Sequence, residues 1–252
     1  MRGLVLLLCL VWPALAGAES IVAGLSQTQV AITARFAGSE ILVYGAVRRD
    51  APVPAGPPLG VIVTVEGPAT PVIVRQKSRE FGIWVNTQAV EIDRAPSFYA
   101  VASTGPLAEQ LSDTEDLRHR ITIARAIRAV GIASEGLDSA SFVDALIRIR
   151  EQAGAYRELP GSVSLTEETL LRTDVALPAN LIEGDYRVRL YLTRGGKVID
   201  TQERKIFVRK AGLERWLANL SRQEPLIYGL LSLALAVVAG WGASAAFRFR
   251  QN

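Results

Sequence analysis

Residues 181–208 read LIEGDYRVRLYLTRGGKVIDTQERKIFV, and this stretch decides the fold class. Tyr186, Val188, Leu190 and Leu192 alternate with Arg187, Arg189, Tyr191 and Thr193. A period of two places the first set on one face of a strand and the second on the other. Gly195-Gly196 supplies the residues a tight hairpin turn needs, and Val198–Val208 returns as the partner strand. Gly184-x-Tyr186 at the start of the first strand resembles the tyrosine corner of immunoglobulin-like sandwiches, where the phenol hydroxyl bonds back to the chain a few residues upstream. The fold expected from this stretch is mainly β, an immunoglobulin-like β-sandwich.

The same period recurs on both sides. Leu171, Thr173, Val175 and Leu177 alternate with polar or small residues. Nearer the N-terminus, strands are predicted at Gln29–Phe36, at Ile41–Val47 with Gly45 at a bulge, and at Val61–Glu66 and Pro71–Gln76 around Gly67-Pro68. Gly82–Asn86 and Ser97–Ala102 are two further short apolar segments. In the middle the period changes to that of a helix. Ser112-x-x-Glu115 is a capping box, and Leu117, Ile121, Ala124, Ile127 and Val130 follow at helical spacing up to Gly131. Asp138 or Ser139 caps a second helix, with Phe142, Leu146 and Ile149 on one face and Gly154 at its end. Residues 107–155 are therefore expected as a helical insertion in a domain spanning 19–212.

The ends of the chain carry targeting signals. Residues 1–18, MRGLVLLLCLVWPALAGA, have a basic start, a short apolar run and a small-x-small close at Ala16-Gly17-Ala18. That is the pattern of a cleaved signal peptide, which predicts a mature chain starting at Glu19. Leu226–Phe247 carries no charged residue and is long enough for a transmembrane helix. Arg248 and Arg250 in the tail 248–252 favour the cytoplasmic side, which puts the large domain outside. Residues 213–225 join the two; Leu213, Trp216, Leu217 and Leu220 form an amphipathic stripe suited to the membrane surface.

Composition narrows the function classes. The whole chain holds 28 basic and 25 acidic residues, but Arg2, Arg248 and Arg250 lie in the leader and the tail. The domain between them is formally neutral and lacks the basic footprint of a nucleic-acid binder. Cys9, inside the leader, is the single cysteine, so no disulfide is expected. With one histidine, His119, the chain has no transition-metal ligand pattern and no second base for a serine triad. Glu91-x-Asp93 and Glu167-Glu168 read as solvated carboxylates, and His119 as a solvated helix residue. No catalytic, cofactor or metal residue is assigned.

Two features remain as binding candidates. Trp84 in Gly82-Ile83-Trp84-Val85-Asn86 is either a core tryptophan or part of a partner-facing aromatic patch with Phe98 and Tyr99. Inside the span, Ser232, Ala236, Gly240 and Ser244 recur every four residues, which lines small side chains along one face for helix–helix contact. The lipid-facing side then carries Leu230, Leu233, Val237 and Trp241.

Three separated segments occur in the order seen in a known family. Gly82–Asn86 (GIWVN), Ala95–Ser103 (APSFYAVAS) and Leu213–Arg248 with its QEPLIYGLLSLALAVVAGW core resemble an uncharacterised alphaproteobacterial family of putative transmembrane proteins. The resemblance implies a Gram-negative inner membrane, a periplasmic domain, and a gene encoded beside that of a sulfite-exporter-like permease. The expected role is a non-enzymatic accessory or interaction protein without cofactor. Its partner is an inner-membrane transporter, or a second copy met through the transmembrane helix. An envelope enzyme and a periplasmic ligand-binding protein are the alternatives.

Overall fold

A computed structural model describes residues 19–32, 38–50, 52–54, 56–129, 139–210 and 220–251, without the side chains of 210 and 243–251. The expected signal peptide, residues 213–219 of the juxtamembrane segment and Asn252 lie outside the described residues. Twelve strands follow in chain order: β1 Ser20–Leu25, β2 Gln29–Ile32, β3 Ser39–Arg48, β4 Leu59–Glu66, β5 Ala69–Glu80, β6 Ile83–Pro96, β7 Tyr99–Ser103, β8 Tyr156–Pro160, β9 Ser164–Thr166, β10 Leu170–Leu177, β11 Gly184–Arg194 and β12 Lys197–Lys210. Between β7 and β8 the described residues form α1 Leu107–Gln110, α2 Asp113–His119, α3 Ile123–Ala126 and α4 Ser139–Gln152. Helix α5, Pro225–Gln251, closes the chain. The protein is thus mainly β with one long apolar C-terminal helix.

The strands form a four-stranded sheet, β1-β3-β10-β9, a six-stranded sheet, β2-β12-β11-β4-β7-β8, and the separate hairpin β5-β6. Pairing is antiparallel except for β2 with β12 and β7 with β8. The alternation in 181–208 is realised as expected. Tyr186, Val188, Leu190 and Leu192 point into a core shared with Ile41, Val43, Leu171 and Val175 of the four-stranded sheet. The other face of the six-stranded sheet presents Ile62, Tyr99, Val101 and Tyr191 to a second core, completed by Phe142 and Leu146 of α4 and by Val74, Val90 and Ile92 of the hairpin. Strand β4 lies between both cores and is buried at every position. Its run LGVIVTVE is continuous rather than alternating, as burial on both faces requires.

The hydroxyl of Tyr186 donates to the carbonyl of Ile182 at 3.0 Å, the bond expected of the corner residue. Gly45 differs from expectation. Its strand stays in regular register with β1 and β10, and no bulge occurs there. A side chain at Gly45 would run into the backbone oxygen of Val22, so close approach of two strands explains the glycine.

The helical region is more broken than its period suggests. The predicted helix from Ser112 stops at His119, where Arg120 takes a left-handed φ of 54°. Ser112 caps the start by accepting from the Glu115 amide. Asp116 ends it: one carboxylate oxygen accepts from the Ile121 and Thr122 amides, each at 2.9 Å, and the other from the Thr122 hydroxyl at 2.7 Å. A side chain that satisfies three donors beyond the helix offers the backbone an alternative to continuing it. Leu117 is consequently exposed, not on a core face. The second helix is described from Ser139, which is already helical, with Asp138 outside the described residues; Phe142 and Leu146 are buried while Ile149 is exposed. Val130 and Gly131 also lie outside the described residues.

Candidate functional site

The segments around GIWVN and SFYAVA belong to different environments. Gly82–Asn86 is the distal end of the β5–β6 hairpin, whose fourteen-residue β6 runs on to Pro96. Phe98 and Tyr99, at 2% and 0% exposure, lie in the inner and outer cores. Trp84 is 69% exposed. Both readings of this tryptophan are therefore corrected. It is not a core residue, and it shares no surface patch with Phe98 and Tyr99. The reason is topological: Ser97-Phe98 turns the chain from the hairpin into β7, a strand covered on both faces.

The hairpin has a fixed root. At its start the Gly67 amide donates to the Phe98 carbonyl and the Ser97 amide to the Pro68 carbonyl, each at 2.8 Å. Arg94 of β6 and Arg128 exchange two backbone hydrogen bonds. The carboxylate of Glu66, nearly buried at the end of β4, meets Arg94 at 2.7 Å, Arg187 at 3.4 Å and Arg189 at 3.2 Å. One carboxylate thus ties the hairpin to the six-stranded sheet. The Tyr156 hydroxyl donates to the Pro96 carbonyl, and the Tyr99 hydroxyl to that of Ile121, both at 2.8 Å. Burial pushes the Tyr156 phenol up to about 12 and raises that of Tyr99 further, so both stay protonated donors that hold the frame. His119 is half-buried beside Tyr191, its Nε2 3.4 Å from Glu115, rather than solvated.

Beyond Val74 and Val90 the hairpin leaves the core. From Gln76 to Gln88 only Ser78 and Val85 are partly covered. The turn carries Phe81, Ile83 and Trp84 at 105%, 65% and 69% exposure. Phe81 and Gly82 both have positive φ, 49° and 85°, as a two-residue hairpin turn of the primed kind demands. Asparagine or glycine suits the first of these positions; a bulky aromatic there is strained. Arg75, Lys77 and Arg79 alternate along one face of β5, with Trp84 directly opposite Arg79. None of the three makes an ion pair among the described residues. The sequence signal for this tip is Glu80-Phe81-Gly82-Ile83-Trp84, apolar residues around a turn glycine. A strand at Pro71–Gln76 and a separate short apolar segment at Gly82–Asn86, the expectation from local pattern, leave out the turn that joins them into one hairpin.

A second polar cluster lies at the opposite end of β11. Glu19 is buried against Arg49 at 2.7 Å and Arg194 at 3.0 Å. Burial raises its carboxyl, but the hydrogen bonds from Arg49 and Arg194 outweigh that and hold it below the usual value. Arg49 also binds the Glu168 carbonyl and reaches its carboxylate at 3.4 Å. Beside Arg194, a cleft of about 300 Å³ is lined by Pro57, Pro58, Gly60, Thr104, Glu109 and Gln110, among others. Glu91 and Asp93 face outward on one side of β6. Among the described residues, no three His, Cys, Asp or Glu side chains group as metal ligands.

Helix α5 is long and apolar enough to cross a membrane, and among the described residues the stretch Pro225–Gly242 buries nothing against another element. Ser232, Ala236 and Gly240 are exposed along it; the Ser232 hydroxyl donates to the Tyr228 carbonyl at 2.9 Å, and Ser244 lies on the same helix. The helix continues through Arg248 to Gln251, so most of the expected tail is helical.

Residues 20–249 match the family described as "Putative transmembrane protein (Alph_Pro_TM)". No curated protein matches in sequence. Among solved structures, the sporulation control protein Spo0M from Bacillus subtilis is similar at 12% identity with a TM-score of 0.27. That match covers 82% of this chain and 56% of Spo0M, so the chain spans little more than half that protein's length.

Proposed function

Because the chain belongs to that family of putative transmembrane proteins, we propose that it is a single-pass inner-membrane protein whose periplasmic domain serves a membrane partner. The orientation follows from the leader pattern in 1–18 and from Arg248 and Arg250 after the span. The domain is read as immunoglobulin-like. Supporting this are the sheet orders β1-β3-β10-β9 and β2-β12-β11-β4-β7-β8, the parallel β2–β12 pair and the Tyr186 hydroxyl bond. Its role is that of a non-enzymatic accessory subunit, and the partner is an inner-membrane transporter.

The single observation that carries this reading is the bare surface of α5. Over eighteen residues the helix buries nothing among the described residues, and one face presents Ser232, Ala236 and Gly240. Lipid tails are as apolar as leucine, so helices associate in membranes through close packing, which small residues allow. Gly240→Leu keeps the helix apolar and blocks that approach; nothing lies within 4 Å of a side chain placed there in the isolated chain, so the fold itself tolerates it. The expected outcome is loss of transporter co-purification and of in-membrane crosslinks, with membrane insertion unchanged. Undiminished crosslinking would sink the reading of α5 as the docking element. The cleft beside Arg194 supports the alternative of a ligand-binding protein. That reading gains if a small polar compound raises the melting temperature of the intact protein and Glu109→Ala, at an exposed position of the cleft, abolishes the shift.

A further inference from the structure

The strongest unexplained feature is the tip of the β5–β6 hairpin. Three large apolar side chains stand in solvent on a structure whose root is firmly tied. One of them, Phe81, occupies a positive-φ position where its ring costs backbone strain and contributes nothing to packing. Strain kept at an exposed position is a reason to look for a contact outside the molecule.

We propose that this tip is a second membrane contact. Phe81, Ile83 and Trp84 enter the interfacial layer of a bilayer containing anionic lipid, and Arg75, Lys77 and Arg79 lie against its headgroups. The proposal rests on the reading of the chain as membrane-anchored. Three observations select the bilayer as the occupant. Tryptophan and phenylalanine beside basic side chains match the interfacial layer, where aromatic rings settle and anionic headgroups attract Lys and Arg. The three basic residues share one face of β5, and among the described residues none of them pairs with a carboxylate. The hairpin also starts at the right end of the domain. Glu66 pairs with Arg187 and Gly184 with Val208, and Gly184 packs on Pro68. The root of the hairpin therefore lies at the sheet end where β12 delivers the chain at Lys210, before α5 begins at Pro225. From Gln76 to Phe81 the hairpin extends about 20 Å past its last buried pair, at roughly 3.3 Å per residue.

The test uses the full-length protein carrying Cys9→Ser, reconstituted into nanodiscs of phosphatidylglycerol and phosphatidylcholine. A polarity-sensitive nitrobenzoxadiazole label is placed at Ile83→Cys, with the exposed Ser162→Cys as reference. The expected result is a blue-shifted emission at position 83 and quenching by headgroup-proximal spin-labelled lipid several-fold stronger than at 162. Replacing Arg75, Lys77 and Arg79 by Gln, or using phosphatidylcholine alone, is expected to weaken the quenching. Phe81→Asn in the same background is expected to weaken it too, and because that change relieves backbone strain, unfolding of the hairpin would not account for the loss. A label at 83 as wet as the one at 162 overturns the proposal. So does a blue shift without lipid quenching, which would mean that a protein, either a second copy or a partner, covers the tip. Failure of the chain to migrate with the discs at all would instead remove the anchoring reading on which the proposal stands.

Discussion

Replacing Tyr186 by Phe removes one oxygen and leaves everything else in place. The residue is 1% exposed, and its ring packs at a centroid distance of 6.4 Å from Phe98, a contact the phenylalanine retains. What disappears is the 3.0 Å bond to the Ile182 carbonyl. A typical intramolecular hydrogen bond contributes a net 0.5–1.5 kcal/mol, because unfolding returns both groups to water. The bond is part-buried rather than buried, which keeps the penalty for an orphaned Ile182 carbonyl small. The expected loss is therefore about 1 kcal/mol, which for a domain of this size lowers the melting temperature by about 2–4 °C. Tyr186→Ala also empties the ring's place in the core and is expected to cost about 3–5 kcal/mol. Thermal unfolding of the full chain in detergent, followed by near-ultraviolet circular dichroism, separates the two. A Phe variant that melts with the wild type would show that the hydroxyl adds nothing to the corner, and that the tyrosine is held by its ring alone.

Glu19→Gln should flatten the acid limb of the stability curve. The folded Glu19 carboxyl is held below its usual 4.5, so its contribution is present above that value and is lost as pH falls through the folded value. Wild type and variant should therefore converge below pH 4.5 and differ most above it; a constant gap down to strongly acid pH would contradict the ion-pair account. Gly45→Ala should destabilise by about 1–3 kcal/mol, since the added methyl meets the Val22 oxygen, and a neutral result in urea unfolding would show that the two strands can separate without cost. A phosphatase fused after Lys210 is expected to be active in intact cells, and an inactive fusion would reverse the proposed orientation.

The sequence alone was enough for the elements whose burial is one-sided or complete. In β10 the alternation is a direct image of one covered face, in β11 it holds from Tyr186 to Leu190 before Tyr191 and Thr193 are buried on the other side, and the long uncharged run of α5 needs no tertiary context to be read as a membrane-length helix. The Ser112 cap and the Tyr186 corner were legible because each is made by residues three or four positions apart. Other features depended on contacts between distant segments. Whether Trp84 is covered was decided by where the hairpin root binds, through Glu66 and three arginines scattered from 94 to 189. The break after His119 came from a carboxylate reaching forward to three donors, which a periodicity count does not see. Strands β8 and β9 went unread because short segments with few alternating positions carry no periodic signal and are defined by the neighbours they pair with. Local spacing thus determined which faces are apolar. Only the tertiary structure decided which of those faces found cover, because burial is a property of what packs against a residue and not of the residue itself.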